Sequence, residues 1–275
     1  MEFMMIISTP DIANYMGKFP NVTLFVDFEI LGKEKRQGHL DTVKSEMTLE
    51  QLIPIRDAAP NSKILARINP INSNTYSEIE SVINYGADSI MLPMFSTFDE
   101  IDSFFKMIDG RVLGIPLFET SASIKLLPEI ISKIALKQCH IGLNDLHLDQ
   151  GKNFLFEPLA DGFLEKPAEL LRKSNIKFGI GGIAKVGDGL VPAENIIGEH
   201  IRLGSTAAIL SRSFNDNKTN IKDFLGSINI KKELEKITIM INHYHSIDKI
   251  ELEKNRELTW KLIREISNKR AKSSN

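Results

Sequence analysis

The sequence predicts a (β/α)8 TIM barrel with additional C-terminal helices. Short β-rich apolar runs alternate with amphipathic stretches from the start of the chain to about residue 210. That alternation is what a parallel sheet with crossover helices requires. Eight such units follow one another without interruption, which favours a closed barrel over an open doubly wound sheet. The 275 residues suit one large α/β barrel, a domain type that routinely reaches this length.

The predicted strands run from Met4 to Ser8, Thr23 to Glu29, Ile64 to Asn69, Ser89 to Met94, Val112 to Glu119, His140 to Asn144, Lys177 to Ile183 and Ile201 to Gly204. Between them the spacing predicts helices over Thr48 to Ala58, Thr75 to Tyr85, Thr97 to Ile108 and Ser121 to Leu136. Thr48 and Thr97 have the chemistry of N-caps, each followed by an acidic residue in the first turn, and Gly86 and Gly110 stand where helices stop. The polar stretch Asn215 to Thr219 closes the barrel, giving a catalytic barrel over 1–214 and a helical extension over 215–275. Two helices are predicted in the extension, Ile228 to Tyr244 and Ile247 to Ile266, before a frayed tail rich in Lys, Arg and Ser. Their apolar residues Ile237, Ile241, Leu252, Trp260 and Ile263 need a surface to cover, either the barrel itself or a neighbouring subunit, and a homo-oligomer is expected.

Composition narrows the functional classes. With 42% hydrophobic and 25% charged residues the chain is neither disordered nor collagen-like nor a membrane protein. A net charge of −2 provides no broad positive field for a nucleic-acid backbone, so no nucleic acid is expected as a partner. Cys139 is the single cysteine, which leaves no intrachain disulfide and no cysteine-based zinc cluster. The N-terminal MEFMMIISTP lacks the parts of a secretory signal, and a cytoplasmic protein with no membrane partner is the expectation.

In a barrel of this kind the active site lies at the C-terminal ends of the strands, so polar residues there carry the functional weight. Strand two ends in Asp27-Phe28-Glu29, strand three in Arg67-Ile68-Asn69, strand five in Glu119-Thr120 and strand six in Asn144-Asp145. Glu119 and Asp145, on adjacent strands, can share a hard divalent cation that keeps several water sites open. Such a cation would chelate a 2-oxo acid and stabilise its enolate, with the Arg67 fork as a second positive group. Asp145 alone would as readily be a helix N-cap; the pairing with Glu119 and Arg67 favours the metal. Asp27 and Glu29 point to one side of their strand, where they either buttress Arg67 and the metal waters or form structural salt bridges. Thr120 and Asn144, beside the carboxylates, are expected to contact substrate.

The runs LFVDFE, ILARINP, GADSIMLPM, IPLFETSASI and IGLNDLHLDQG, in this order, are similar to the HpcH/HpaI aldolase and citrate lyase β-subunit family. The resemblance covers Thr23 to Gly151 well and extends more loosely to about Leu210. It implies a metal-dependent carbon–carbon lyase of the aldolase or acyl-CoA lyase type, acting on a 2-oxo acid. It also implies Mg2+, Mn2+ or Co2+ held by Glu119 and Asp145, and enolate stabilisation by Arg67. Where the aldolase branch has a histidine after its Asp-x-Glu strand end, this chain has Ile30; the citrate-lyase-like branch has a basic loop there, matched by Lys33, Lys35 and Arg36. His39 is a further candidate proton carrier.

Other polar features carry two readings each. Gly181-Gly182 after strand seven and Gly204-Ser205 after strand eight either bind a phosphate through backbone N–H groups or serve tight turns and close packing. The phosphate reading would suit a phosphoenolpyruvate-using condensing enzyme, and a non-catalytic ligand-binding barrel is the remaining rival. His140 is placed before strand six, packing or capping at the far end of the barrel, and His147, two residues beyond Asp145, either faces the site or, as the favoured reading, lies in a surface loop. His243 and His245 point to different faces of one helix, which makes a joint metal site improbable.

Overall fold

The structure, a computed structural model, describes residues 1–32, 47–215 and 218–273. Eight parallel strands close a barrel in chain order. They are β1 (Glu2–Ile6), β2 (Val22–Asp27), β3 (Ile64–Arg67), β4 (Ser89–Leu92), β5 (Leu113–Phe118), β6 (Gln138–Ile141), β7 (Lys177–Ile183) and β8 (Ala207–Leu210). Alternate residues face opposite ways along each strand. Met4, Phe25, Leu65, Met91, Ile115, Leu117 and Ala207 therefore fill the barrel interior. Their neighbours, among them Met5, Leu24, Val26, Ala66 and Ile90, join a larger core beneath the helices.

The barrel helices are α1 (Pro10–Met16), α2 (Leu52–Ala58), α3 (Thr75–Asn84), α4 (Phe98–Ile108), α5 (Ser121–Lys133), α6 (Leu143–Asp149), α7 (Glu157–Ala160), α8 (Glu165–Lys173) and α9 (Ala193–Leu203). The cap chemistry holds. Thr97 accepts from the Glu100 N–H at 3.3 Å while its own N–H donates to Glu100 Oε2 at 2.9 Å, a reciprocal capping box that starts α4. Thr48 and Gln51 form the equivalent box at a short 3-10 turn, Leu49–Gln51, leading into α2.

Two strands differ most from the sequence reading, while β2, β3 and β4 each end two residues earlier than expected. Ile201 to Gly204 is not the eighth strand: Ile201 and Leu203 belong to α9, which Gly204 ends in the left-handed conformation at φ 80°. Ile196, Ile197, His200 and Leu203 are buried on one side of this helix, so the period there is helical. The true β8 begins with two alanines, residues with weak strand preference, which hid it. Strand six also ends early, at Ile141, and Asn144 and Asp145 lie in the first turn of α6.

Three helices complete the described chain: α10 (Ile221–Ser227), α11 (Ile230–Ser246) and α12 (Lys249–Ser273). The Phe224 ring of α10 meets Tyr15 of α1 edge-on. Helices α11 and α12 lie against α9, and α12 also against α7. Their apolar faces pack on the same chain: Ile237, Ile241 and Ile263 are buried, and Leu252 and Trp260 pack half-buried on the core. Polar contacts lock the docking. Asn255 donates to the Asn195 carbonyl at 3.1 Å and accepts from the Tyr244 hydroxyl at 3.0 Å. Trp260 Nε1 donates to Glu199 at 3.1 Å, and Arg202 bridges Glu199 to Glu165. Among the described residues no helix is long and apolar enough to cross a membrane.

Candidate active site

The C-terminal ends of the strands open into a cavity of about 720 Å3. Asp27, Arg67, Glu119, Asn144, Asp145, Gly181 and Gly182 all line it. Most of the residues singled out from sequence therefore converge at one mouth.

Asp27 and Arg67 sit opposite one another in the β2–β3 register, and the pair is bidentate. Arg67 Nε donates to Asp27 Oδ1 and Nη2 to Oδ2, both at 2.8 Å, while Glu29 lies 3.4 Å from Nε. Beneath the guanidinium, at 5.4 Å, is the Phe25 ring. Burial works against the charge of Arg67, but Asp27 and Glu29, with Glu119 further off, outweigh it and hold the group charged. Asp27 and Glu29 thus buttress the arginine.

Glu119 follows β5 directly and is buried, as is Asp145 in the first turn of α6. One Glu119 oxygen accepts from the Met94 N–H at 2.9 Å, and Met94 adopts φ 53°, the left-handed region that a bulky side chain rarely enters. Such strain clusters where surrounding structure forces it, frequently at functional sites. Burial, then the nearby charges of Asp145 and Glu29, push the Glu119 carboxyl well above its ordinary range; Arg67 and the Met94 N–H pull the other way. Two buried carboxylates that repel one another and offer only hard oxygen donors suit a divalent cation, which would relieve the repulsion. Among the described residues no group of three or more His, Cys, Asp or Glu side chains forms a closed cage. A cation on Glu119 and Asp145 would keep positions for water or substrate.

Three expected contacts lie elsewhere. The Thr120 hydroxyl caps α5, accepting from the Ser123 N–H at 3.0 Å, and does not line the cavity. Gly204 and Ser205 precede β8 rather than follow it, so they sit at the opposite end of the barrel. There the Ser205 hydroxyl contacts His200 Nδ1 at 2.9 Å and donates to the Ala207 carbonyl at 3.1 Å. Gly181 has φ 46°, and a Cβ on it would come within 2.8 Å of Leu143, so close packing requires a glycine there. The basic residues Lys33, Lys35 and Arg36, with His39, lie outside the described residues.

His140 is a site residue the sequence reading misplaced. It lies within β6, paired with Gly179, and lines the cavity. A Cβ on Gly179 would stand 2.2 Å from His140 Nδ1, so the ring occupies space that a glycine leaves open. Its Nε2 meets the Gly181 carbonyl at 3.0 Å, and burial lowers its pKa to about 4 against the pull of that carbonyl, with the Arg67 charge adding to the depression. The ring is therefore neutral near pH 7. Alternation carried the signal, because Cys139 and Ile141 join the outer core and leave His140 facing inward. His147 is buried in α6, not on a surface loop.

Fold and site together define a closed (β/α)8 barrel whose mouth carries a buttressed arginine and a buried carboxylate pair. No family model matches the sequence, and no curated protein matches it. Solved barrels do. An HpcH/HpaI aldolase from Desulfitobacterium hafniense DCB-2 aligns over 76% of this chain and 85% of its own at 12% identity and a TM-score of 0.55. An HpcH/HpaI aldolase/citrate lyase family protein from Burkholderia cenocepacia J2315 aligns over 86% and 94% at 11% identity and a TM-score of 0.59. RipC from Yersinia pestis aligns over 91% and 98% at 14% identity and a TM-score of 0.54. At these identities the likeness establishes the barrel fold.

Proposed function

We propose that the chain is a divalent-metal-dependent carbon–carbon lyase of the HpcH/HpaI aldolase/citrate lyase type, acting on a 2-oxo acid. The observation that carries this reading is the buried Glu119–Asp145 pair at the mouth of a barrel whose solved counterparts include aldolases of that family. The two carboxylates would hold Mg2+, Mn2+ or Co2+. When bound, the ion would draw electron density from the carboxylate and keto oxygens of the substrate and favour its enolate.

The chain's own residues supply the rest. Arg67, held by Asp27 and Glu29, brings a fixed positive fork to the oxygen where charge develops, without reorganising during reaction. Asn144 offers an amide to the substrate from the cavity wall. Neutral His140 anchors the Gly181 peptide and adds no second positive charge to the floor. A phosphoenolpyruvate-using enzyme is the weaker reading, because Gly204 and Ser205 lie at the far end of the barrel.

Exchange of pyruvate methyl protons with deuterated water, followed by NMR with and without Mg2+, tests the proposal. It needs only enolate formation. Metal-dependent exchange is the expected outcome, and its absence with Mg2+, Mn2+ and Co2+ alike would overturn the reading.

A further inference from the structure

Met94 touches Glu119 through its backbone and does not itself line the cavity. Strand β4 ends at Leu92, Pro93 follows, and Met94 then turns into the left-handed region at φ 53°. That conformation is costly for any residue with a Cβ, so surrounding contacts must hold it. The side chain does not supply them: it is half-buried and, among the described residues, packs with neither apolar core. Its neighbour and its own N–H do. Phe95 is buried and meets the Phe118 ring edge-on at 5.1 Å, and Phe118 directly precedes Glu119. The Met94 N–H donates to Glu119 Oε1 at 2.9 Å. Two consecutive residues thus fasten the turn, one on the strand that carries Glu119 and one on Glu119 itself.

A hydrogen bond to one oxygen of a carboxylate fixes where the other points. With Oε1 on a backbone N–H, Oε2 lies over Gly142, where a Cβ would stand 3.0 Å from it. Gly142 is the N-cap of α6, the helix whose first turn holds Asp145. We propose that Met94 is a positioning residue for the cation site: its left-handed backbone, not its side chain, holds Glu119 Oε1 so that Oε2 is the oxygen presented to the ion. The proposal rests on the reading of Glu119 and Asp145 as the metal pair. An outer hydrogen bond of this kind orients a ligand before the ion arrives, so the ion need not itself immobilise the carboxylate.

A backbone role and a side-chain role rank the same variants in opposite order. Calorimetric titration of the full chain with Mn2+ reads the site without the reaction. Met94→Gly removes the side chain but accepts the left-handed backbone without strain, and it should bind Mn2+ as the parent does. Met94→Val keeps an apolar side chain, but its branched Cβ disfavours that backbone, so the N–H should leave Oε1 and affinity should fall about 10-fold to 100-fold. If the valine variant does not fold, replacing Met94 by its α-hydroxy analogue exchanges the N–H for an ester oxygen at constant side chain, and the same loss is expected. Circular dichroism and the metal-free thermal midpoint separate a lost N–H from a lost fold. Equal loss in the glycine and valine variants would assign the effect to the side chain and overturn the proposal. Parent-like affinity in the folded valine variant or in the ester would do the same. A parent that binds no Mn2+ would overturn the metal reading, and this proposal with it.

Discussion

Asp27 receives Nε and Nη2 of Arg67 on its two oxygens at 2.8 Å each, across directly paired positions of β2 and β3. The orientation of the arginine fork is therefore built into the sheet. An ammonium cannot reproduce two parallel N–H bonds to one carboxylate. Arg67→Lys should lose about 100-fold to 1,000-fold in turnover, as removal of a fixed electrostatic donor typically does. Steady-state kinetics beside circular dichroism checks this; near-normal kcat in a folded variant would make Arg67 structural.

Glu119→Gln and Asp145→Asn each remove one charged oxygen ligand at nearly constant volume. Calorimetric titration with Mg2+ or Mn2+ should show binding lost or greatly weakened in both, with little change in thermal midpoint without metal. Unchanged affinity in both variants would show that the ion sits elsewhere.

Metal binding should depend on pH through Glu119. Burial and the Asp145 charge raise its carboxyl well above the ordinary value of 4.5, so near that value the metal-free protein still holds a proton there. A cation needs the ionised form, and affinity should rise with pH above 4.5 as binding releases up to one proton, then level off. Without metal the same group acts in the opposite sense on stability: the folded state binds the extra proton, so its contribution is present below 4.5 and lost as pH rises through the folded value. Calorimetry in buffers of different ionisation heat counts the proton, and zero release over the whole range would remove Glu119 from the site.

His200 should make the barrel acid-sensitive. It is fully buried, and burial, with His140 nearby, lowers its pKa from 6.5 to about 3. Between those values the unfolded chain binds a proton that the folded chain does not. The histidine's contribution is therefore intact above pH 6.5 and lost as pH falls, at about 1.4 kcal/mol per pH unit. His140, lowered to about 4, acts in the same direction. Urea denaturation of His200→Asn between pH 7 and pH 4.5 should show a slope shallower by one proton, whatever its stability at pH 7. An unchanged slope would mean that His200 is protonated in the folded protein.

Gly198 on α9 allows the C-terminal helices to approach. A Cβ there would stand 2.3 Å from Asn255 Nδ2 and 2.8 Å from the Tyr244 ring. Alanine gains up to about 1 kcal/mol in helix propensity, whereas overpacking a close contact costs about 1–3 kcal/mol. Gly198→Ala should be destabilised on balance, with the docking of α12 loosened first. Hydrogen exchange would show lower protection in residues 249–270, and a variant more stable than the parent would contradict the packing.

Much of the barrel was legible because its signals are local. The alternation of Met4 and Phe25 inward with Met5 and Leu24 outward, and the Thr97–Glu100 capping box, are both written in neighbouring residues. So were the strand-end residues Asp27, Arg67 and Glu119, because a strand in a barrel delivers the residue at its C-terminal end to one mouth. The eighth strand failed for a local reason too: Ala207 and Ala208 carry little strand preference, while Ile201 and Leu203 imitated a strand inside a helix.

Sequence by itself determined the period, the order of elements and which carboxylates stand near the ends of strands, since each depends on residues close together in the chain. Tertiary structure decided what distant residues do to one another. Strand pairing puts His140 in the space left by Gly179 and sets Arg67 on Asp27, the true start of β8 leaves Gly204 and Ser205 at the far end, and helix docking turns α11 and α12 back onto α9. The physical reason is that burial, and the repulsion that raises the Glu119 carboxyl beside Asp145, are properties of through-space distance in a low-dielectric interior, which sequence spacing does not contain.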